Sequence, residues 1–114
     1  MIRGVGVDVC AVERIAATYA DHGERFLQRV LTPTERAQRT WDASSLARRW
    51  ACKEAVAKAC ATGIGGVVGF QDIEITYAAN GAPQCQVRGQ TGQFWVSVSD
   101  DAGMATAFAL WSHA

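Results

Sequence analysis

The spacing of apolar side chains changes along the chain, and each spacing predicts a different element. Residues 2 to 9 are rich in β-branched side chains and predict an opening strand. A helical spacing follows from Ala11 to about Ala20, and Gly23 separates it from a second, short helix. The stretch Thr32-Pro33-Thr34-Glu35 has the form of a helix start, with a threonine cap, a proline at the first helical position and a glutamate closing a capping box.

The longest helical pattern runs from about Ser45 to Ala61, where good helix formers occur without Gly or Pro. Beyond it the apolar period shortens to two residues, the period of a strand. Asn80-Gly81 predicts a hairpin turn, and a second turn is expected between Asp101 and Gly103. The strands predicted around these turns read DIEITY, QCQVRG, FWVSVS and MATAFALW. The sequence therefore predicts an α+β fold: an N-terminal strand, several helices with one long central helix, then antiparallel strands.

Composition predicts a single domain over residues 1–114. The chain has 114 residues, 49% of them hydrophobic, and a formal net charge of zero. At this length a split would leave neither half an adequate core.

Most basic side chains lie between Arg14 and Lys58, a distribution that suits phosphates or an acidic partner better than a nucleic-acid duplex. No apolar run is long enough to cross a bilayer, so we expect a soluble protein without a membrane partner.

The four cysteines predict packed, reduced thiols rather than a disulfide scaffold. They form no CxxC pair, and no histidine lies at zinc-ligand spacing from them. The first residues do not form a signal-peptide pattern. We therefore expect a cytoplasmic protein.

Two carboxylates occupy positions where they could hold a cation. Asp8 ends the opening strand, and Glu54 shares a face of the long helix with Trp50 and Lys58. Two carboxylates, a phosphate and water molecules are a usual set of ligands for Mg²⁺, and Lys58 could reach the same phosphate. Each feature also has an ordinary alternative. A Glu and a Lys four residues apart often form a surface salt bridge, and an Asp at a strand end often caps a turn.

A glycine-rich stretch, TGIGG, follows the long helix. Its backbone amides could approach a phosphate, or it could simply cap the helix and form a loop. It is neither a Walker motif nor a dinucleotide fingerprint. Arg48 and Arg49, on the long helix, either bind phosphates or solvate that end of it.

Two longer stretches, read together, resemble a known family. The opening GVGVDVCAVERI is similar to the pattern G-x-D-x-x-x-x-x-R-I, and RRWACKEAVAKACATGIG is similar to R-F/W-x-x-K-E-A-x-x-K-A-x-G-T-G-I. The stretches RVLTPTE, FQDIEI and NGAP match further landmarks in the expected order. These are motifs of the 4′-phosphopantetheinyl transferases, specifically of the short holo-acyl-carrier-protein synthase type.

The resemblance implies an enzyme that moves the 4′-phosphopantetheine arm of coenzyme A onto a serine of an apo acyl carrier protein and releases adenosine 3′,5′-bisphosphate. It places the Mg²⁺ ligands on Asp8 and Glu54 and the phosphate-contacting lysine on Lys58. The carrier serine must lose a proton, either to Glu54 or to a metal-bound water, and the residues leave that choice open. The expected catalytic set is thus Asp8, Glu54 and Lys58.

The resemblance also implies binding surfaces and an assembly. Arg14 matches the arginine that meets the acidic carrier protein, and Arg25 with Phe26 extends that surface. The family forms a homotrimer whose active sites lie between subunits, so we expect the same here. The implied contacts to coenzyme A are Arg49, Lys58, Gly63 and Pro83.

One position departs from the family pattern. In VSVSDD, Asp100 stands where the family usually has a histidine beside the nucleotide. A carboxylate there would repel a phosphate, unless Asp100 only begins the following turn. We expect a Mg²⁺-dependent enzyme of fatty-acid biosynthesis. The alternatives are a non-catalytic coenzyme A or carrier-protein binding module of the same fold, and a small oligomeric interaction domain. The sequence does not distinguish fatty-acid, polyketide and other carriers.

Overall fold

The computed structural model describes residues 1–60 and 68–113, which form an antiparallel sheet covered on one face by helices. The sheet has the strand order β1-β5-β4-β3-β2. Its strands are β1 (Ile2–Ala11), β2 (Ile73–Tyr77), β3 (Pro83–Val87), β4 (Gln93–Asp101) and β5 (Met104–Ser112). The helices are α1 (Val12–His22), α2 (Glu24–Val30), α3 (Pro33–Gln38) and α4 (Ala43–Ala59), and a short 3₁₀ helix (Phe70–Asp72) precedes β2. The predicted α+β fold is confirmed.

Element boundaries follow from capping chemistry. The predicted box at the start of α3 is present, with Thr32 and Glu35 exchanging hydrogen bonds. Helix α4 begins two residues before the predicted Ser45, because Asp42 caps it: Asp42 Oδ1 accepts from the Ser45 amide at 2.8 Å. Helix α4 ends at Ala59, with Cys60 as its cap, two residues before the predicted end at position 61; the TGIGG stretch lies outside the described residues. No helix in the described part of the chain is long and apolar enough to span a membrane.

Helix α4 lies unusually close to the sheet because the strand residues that face it are small. A Cβ atom added to Gly6 would overlap the carbonyl oxygen of Ala55, and one added to Gly4 would overlap that of Ala59. On the neighbouring strand β5, the residues facing the helix are buried alanines: Ala105, Ala107 and Ala109. The glycines of GVGVDV are therefore required by the close approach of helix and strand.

Aromatic side chains fill the space between α2, α4 and the 3₁₀ helix. The ring of Trp50 lies 5.9 Å from that of Phe26 and 4.7 Å from that of Phe70, measured between centroids. Phe26 is only 5% exposed. This differs from the predicted surface role of Phe26, because the apolar face of α2 turns its ring into the core and leaves the neighbouring Arg25 exposed.

The close approach of Gly4 and Gly6 to α4 predicts that a single added methyl group will strongly destabilise the protein. Gly6→Ala should destabilise the protein by at least about 2 kcal/mol, because backbone rather than a flexible side chain blocks the new atom. Urea unfolding followed by circular dichroism measures this cost. The matched control is Gly69→Ala, whose Cβ would meet only Asp72 Oδ2 at 3.5 Å and should change stability by less than about 0.5 kcal/mol. Equal effects of the two substitutions would contradict the close-approach argument.

Candidate functional site

Strand β1 carries Asp8 on the face of the sheet that α4 covers. Gly6 and Cys10, on the same face, lie against Ala55 and Ala47 of that helix. The Asp8 side chain is 14% exposed, and its Oδ1 accepts a hydrogen bond from Lys58 Nζ at 3.0 Å.

Lys58 joins α4 to β1. In addition to its bond to Asp8, its ammonium donates to the carbonyl oxygen of Val7 at 3.1 Å. Within the described ranges, the ion pair of Lys58 is with Asp8 and not with Glu54. The ordinary alternative of a Glu54–Lys58 surface pair therefore does not describe this helix.

Glu54 completes a cluster of charges with Asp8, Lys58 and Arg14. The pKa of its carboxyl is raised, first because the group is half-buried and second because the Asp8 carboxylate is near, while Lys58 and Arg14 oppose the rise. The two carboxylates are thus close enough to disfavour each other's charge. A divalent cation between them would remove that penalty.

The chemistry of this donor set fits Mg²⁺. That ion is held by one or two carboxylates together with waters and substrate phosphates rather than by an all-protein cage. In the described ranges, no group of three or more His, Cys, Asp or Glu side chains could hold a metal ion. Asp8 and Glu54 are two carboxylates that could hold Mg²⁺ here, with the remaining ligands supplied by phosphate and water.

The four cysteines are free and take no part in this cluster as ligands. Cys10 is buried, and its thiol donates to the carbonyl oxygen of Ala47 at 3.4 Å. Burial raises the pKa of Cys52 to about 11 and that of Cys85 to about 12. Such thiols stay protonated at neutral pH and are weak nucleophiles.

A cavity of about 290 Å³ lies on the other side of α4, between that helix, β2 and the part of β4 that β3 does not pair with. Arginines, aromatic rings and apolar side chains line it, including Arg39, Arg48, Arg49, Trp41, Tyr77 and Pro83. The predicted coenzyme A contacts Arg49 and Pro83 thus meet at one cavity. Of the other two predicted contacts, Lys58 lies at the charge cluster and Gly63 lies outside the described residues.

The charge cluster and the cavity of one chain are separated by α4. A helix turns by about 100° per residue, so Ser45, Arg49 and Cys52 form one stripe and Glu54 with Lys58 lies roughly opposite to it. Across the sheet, Asp8 pairs with Ala107 of β5, which pairs with Val98 of β4 at the cavity wall. Two strand spacings amount to roughly 10 Å, and α4 fills the space above them.

A buried ion network that sequence reasoning missed anchors this helix. Glu35 is fully buried, and its carboxylate accepts from Lys53 Nζ at 2.6 Å and from Arg49 Nη1 at 2.9 Å. The amides of Thr32 and Ile75 also donate to it, at 2.8 and 2.9 Å. The sequence shows Glu35 as part of a capping box and Lys53 as a neighbour of Glu54. The available signal was the four-residue spacing of Arg49 and Lys53 on a helix otherwise rich in alanine.

Arg49 is held so firmly that it forms the wall of the cavity rather than a mobile arm. Besides Glu35, it donates to the carbonyl oxygen of Ile75 at 3.3 Å and to the hydroxyl of Tyr77 at 3.2 Å. Its guanidinium carbon lies 4.9 Å from the ring centroid of Trp41. A ligand in the cavity would meet a pre-positioned cation.

Asp100 lies within β4, where it pairs with Ala105, and the turn itself consists of Ala102 and Gly103 with positive φ. The alternative that Asp100 begins the turn is therefore wrong, because strand pairing continues to Asp101. Its carboxylate instead faces Arg48, with Nη1 and Oδ1 3.5 Å apart.

The predicted carrier-facing arginines are exposed, on α1 and α2. Arg14 of α1 lies near Glu54 and 5.8 Å above the ring of Trp50, measured from its guanidinium carbon to the ring centroid. Arg25 of α2 is also exposed. Arg14 thus places positive charge next to Glu54.

Fold and site together define an α+β protein whose central helix and first strand bring two carboxylates and a lysine together. The family model of the 4′-phosphopantetheinyl transferase superfamily matches residues 4–109. A holo-[acyl-carrier-protein] synthase of a Methylobacterium species is 39% identical over 96% of this chain and 93% of its own length. One from Protochlamydia amoebophila is 39% identical over 98% and 99%.

Solved structures agree with this. The holo-[acyl-carrier-protein] synthase of Neisseria meningitidis superposes with a TM-score of 0.87 at 33% identity, covering 98% of this chain and 99% of its own. That of Helicobacter pylori, solved in complex with coenzyme A, has a TM-score of 0.88 at 32% identity, covering 95% and 99%. The chain belongs to the 4′-phosphopantetheinyl transferase superfamily, among the enzymes of the holo-[acyl-carrier-protein] synthase type.

The buried network predicts a strong dependence of stability on Lys53. Lys53→Met should cost about 3–5 kcal/mol, because it leaves the Glu35 carboxylate buried with one charge partner fewer. Urea unfolding measures the loss. The double variant Glu35→Gln with Lys53→Met should recover part of it, since the uncompensated charge is then gone. A loss below about 1 kcal/mol for Lys53→Met would show that the network is not an anchor.

Proposed function

We propose that the protein transfers 4′-phosphopantetheine from coenzyme A to a serine of an apo acyl carrier protein, with Mg²⁺ as cofactor, and releases adenosine 3′,5′-bisphosphate. The cluster of Asp8, Glu54 and Lys58 carries the proposal, because it combines a cation site with a phosphate-binding ammonium. The relative from Helicobacter pylori, solved with coenzyme A, supports the choice of donor.

Each residue of the cluster has a distinct task in this reaction. Asp8 and Glu54 would hold Mg²⁺, which would neutralise the diphosphate of coenzyme A. Lys58 supports the charge that develops as the phosphoanhydride bond breaks. The carrier serine must also lose a proton, and Glu54 or a water molecule at the cluster would accept it.

The carrier protein is the second substrate. Arg14, near Glu54, and Arg25 are both exposed and supply positive charge for an acidic carrier. Phe26 supports that surface from the core, through its packing against Trp50. A carrier of fatty-acid biosynthesis in the cytoplasm is the partner that we propose, and the free thiols are consistent with that compartment.

Mass spectrometry of a carrier incubated with the protein, coenzyme A and Mg²⁺ tests the reaction. We expect the phosphopantetheine adduct on the carrier, its loss on chelation of divalent ions, and its return when Mg²⁺ is added. Asp8→Asn and Glu54→Gln should each slow transfer by roughly 100-fold or more without altering the circular dichroism spectrum. Asp21→Asn, which removes an exposed carboxylate elsewhere on α1, should leave the rate unchanged.

The outcomes separate the two candidate functions. Binding of coenzyme A without an adduct on fatty-acid, polyketide or peptide-type carriers would favour the non-catalytic binding module. Full activity of Asp8→Asn at saturating Mg²⁺ would show that Asp8 is not a ligand of the metal ion.

The outer face of the sheet supports a homotrimer with active sites between subunits, which we also propose. On the face away from α4, an apolar patch covers β1, β5 and β4; its members are Val5, Val7, Val9, Trp95 and Phe108. Exposed apolar patches of this kind mark interaction surfaces. A neighbouring subunit could also place its cavity beside the charge cluster, which a single chain keeps on the far side of α4.

A charge in the middle of the apolar patch should disrupt this assembly. Val7 is 60% exposed, so Val7→Glu is tolerated by a lone chain but costly against a partner surface. We expect the variant to lose both the trimer mass in light scattering and the transfer activity. Gln86→Glu introduces the same charge on β3, at an exposed position outside the patch, and should change neither. A trimeric Val7→Glu protein would show that another surface forms the interface.

A further inference from the structure

An ion pair joins α4 to β4 between Arg48, which lines the cavity, and Asp100, two residues beyond the lining residue Val98. Arg48 Nη1 lies 3.5 Å from Asp100 Oδ1 and donates to Ser44 Oγ at 3.1 Å. The two side chains are 30% and 43% exposed. A long, solvent-exposed pair of this kind contributes little to stability, so a ligand can replace it at low cost.

Arg48 differs from its neighbour Arg49 in what it has left to donate. Arg49 is buried, and Glu35, Ile75 and Tyr77 take its hydrogen bonds. The contacts of Arg48 with other described residues involve a single nitrogen, Nη1. A guanidinium has five N–H donors, so Nε and Nη2 of Arg48 are available for a bidentate contact with a phosphate.

The chemistry of coenzyme A determines which phosphate this would be. Its diphosphate is the group that reacts, so it must lie at Asp8, Glu54 and Lys58. The remaining phosphate is on the ribose, attached to the nucleoside. A cavity that combines arginines with the rings of Trp41 and Tyr77 suits a nucleoside that carries a phosphate.

We propose that Arg48 binds the 3′-phosphate of coenzyme A and that Asp100 competes with this phosphate for Arg48, so that the pair sets the preference for coenzyme A over 3′-dephospho-coenzyme A. This inference rests on the proposed function, since it takes coenzyme A as the substrate. Asp100 does not spoil the cavity, because Arg48 compensates its charge in the absence of a ligand. It lowers the affinity instead, because it shares the charge of Arg48 with the phosphate and lies close to that like charge.

Calorimetric binding of coenzyme A and of 3′-dephospho-coenzyme A, without carrier, tests the inference. Arg48→Gln should weaken coenzyme A binding by roughly 10-fold or more, the usual value of a charged hydrogen bond, and change 3′-dephospho-coenzyme A by less than twofold. Asp100→Asn should tighten coenzyme A binding by about two- to fivefold, in line with the strength of an exposed pair, and leave the dephospho compound unaffected. In the transfer assay the same changes should occur in KM, with kcat retained.

A matched control comes from the exposed pair of Arg88 and Asp72, whose Nη1 and Oδ1 are 3.4 Å apart. Arg88 does not line the cavity. Arg88→Gln removes one arginine charge from the surface and should leave the ratio of the two affinities unchanged.

Two results would overturn the inference. Equal weakening of both compounds by Arg48→Gln would mean that Arg48 does not contact the 3′-phosphate. Weaker binding of coenzyme A to Asp100→Asn would mean that Asp100 orients Arg48 instead of competing for it. Absence of transfer by the unmodified protein counts against the proposed reaction alone, because the binding measurement needs no carrier and still decides the role of Arg48.

Discussion

The position of every functional side chain on α4 depends on one buried carboxylate. Glu35 accepts hydrogen bonds from Lys53, Arg49 and two backbone amides, so it ties α4 to α3 and β2. A buried charge tolerates no loss of partners, and this fixes the rotation of α4 about its own axis. With Lys53 facing inward, the next residue, Glu54, points about 100° away, toward β1. The network thereby determines the direction of the Glu54 carboxylate, although it does not contact that group.

A second constraint, separate from the rotation of α4, determines how close Glu54 lies to Asp8. Gly4 and Gly6 allow the backbone of β1 to approach α4 more closely than any larger residue would. Asp8 follows on the same face of the strand, where its carboxylate reaches Lys58 and raises the pKa of Glu54. Rotation is thus determined by charges on one side of α4 and separation by small residues beneath it. Both constraints together bring the two carboxylates close to each other.

How far the sequence predicts this arrangement depends on how local each cause is. The strand and helix periods, the capping box at Thr32 and the hairpin turns involve neighbouring residues, and all were predictable. The second role of Glu35 was not, because it depends on Lys53 and on the amide of Ile75, far along the chain. Phe26 was misplaced for the same reason, since only tertiary packing decides which face of a short helix is buried. The family motifs predicted Asp8 and Glu54 as site residues, but motifs alone do not predict how far apart the two residues lie.

The two halves of the proposed site share one electrostatic feature. At the charge cluster Lys58 pairs with Asp8, and at the cavity Arg48 pairs with Asp100. In the chain without ligands, each cation that would bind phosphate is therefore held by a carboxylate. On the proposed function the two pairs would differ: Mg²⁺ held by Asp8 and Glu54 would offset the charge of Asp8 and leave Lys58 for the diphosphate, whereas Asp100 has Arg48 as its ion-pair partner among the described residues. The reacting end of coenzyme A thus gains from its metal ion, and the nucleotide end has to compete for its arginine. Such a difference directs binding energy toward the bond that breaks, where it accelerates the reaction, rather than toward uniform binding of the nucleotide.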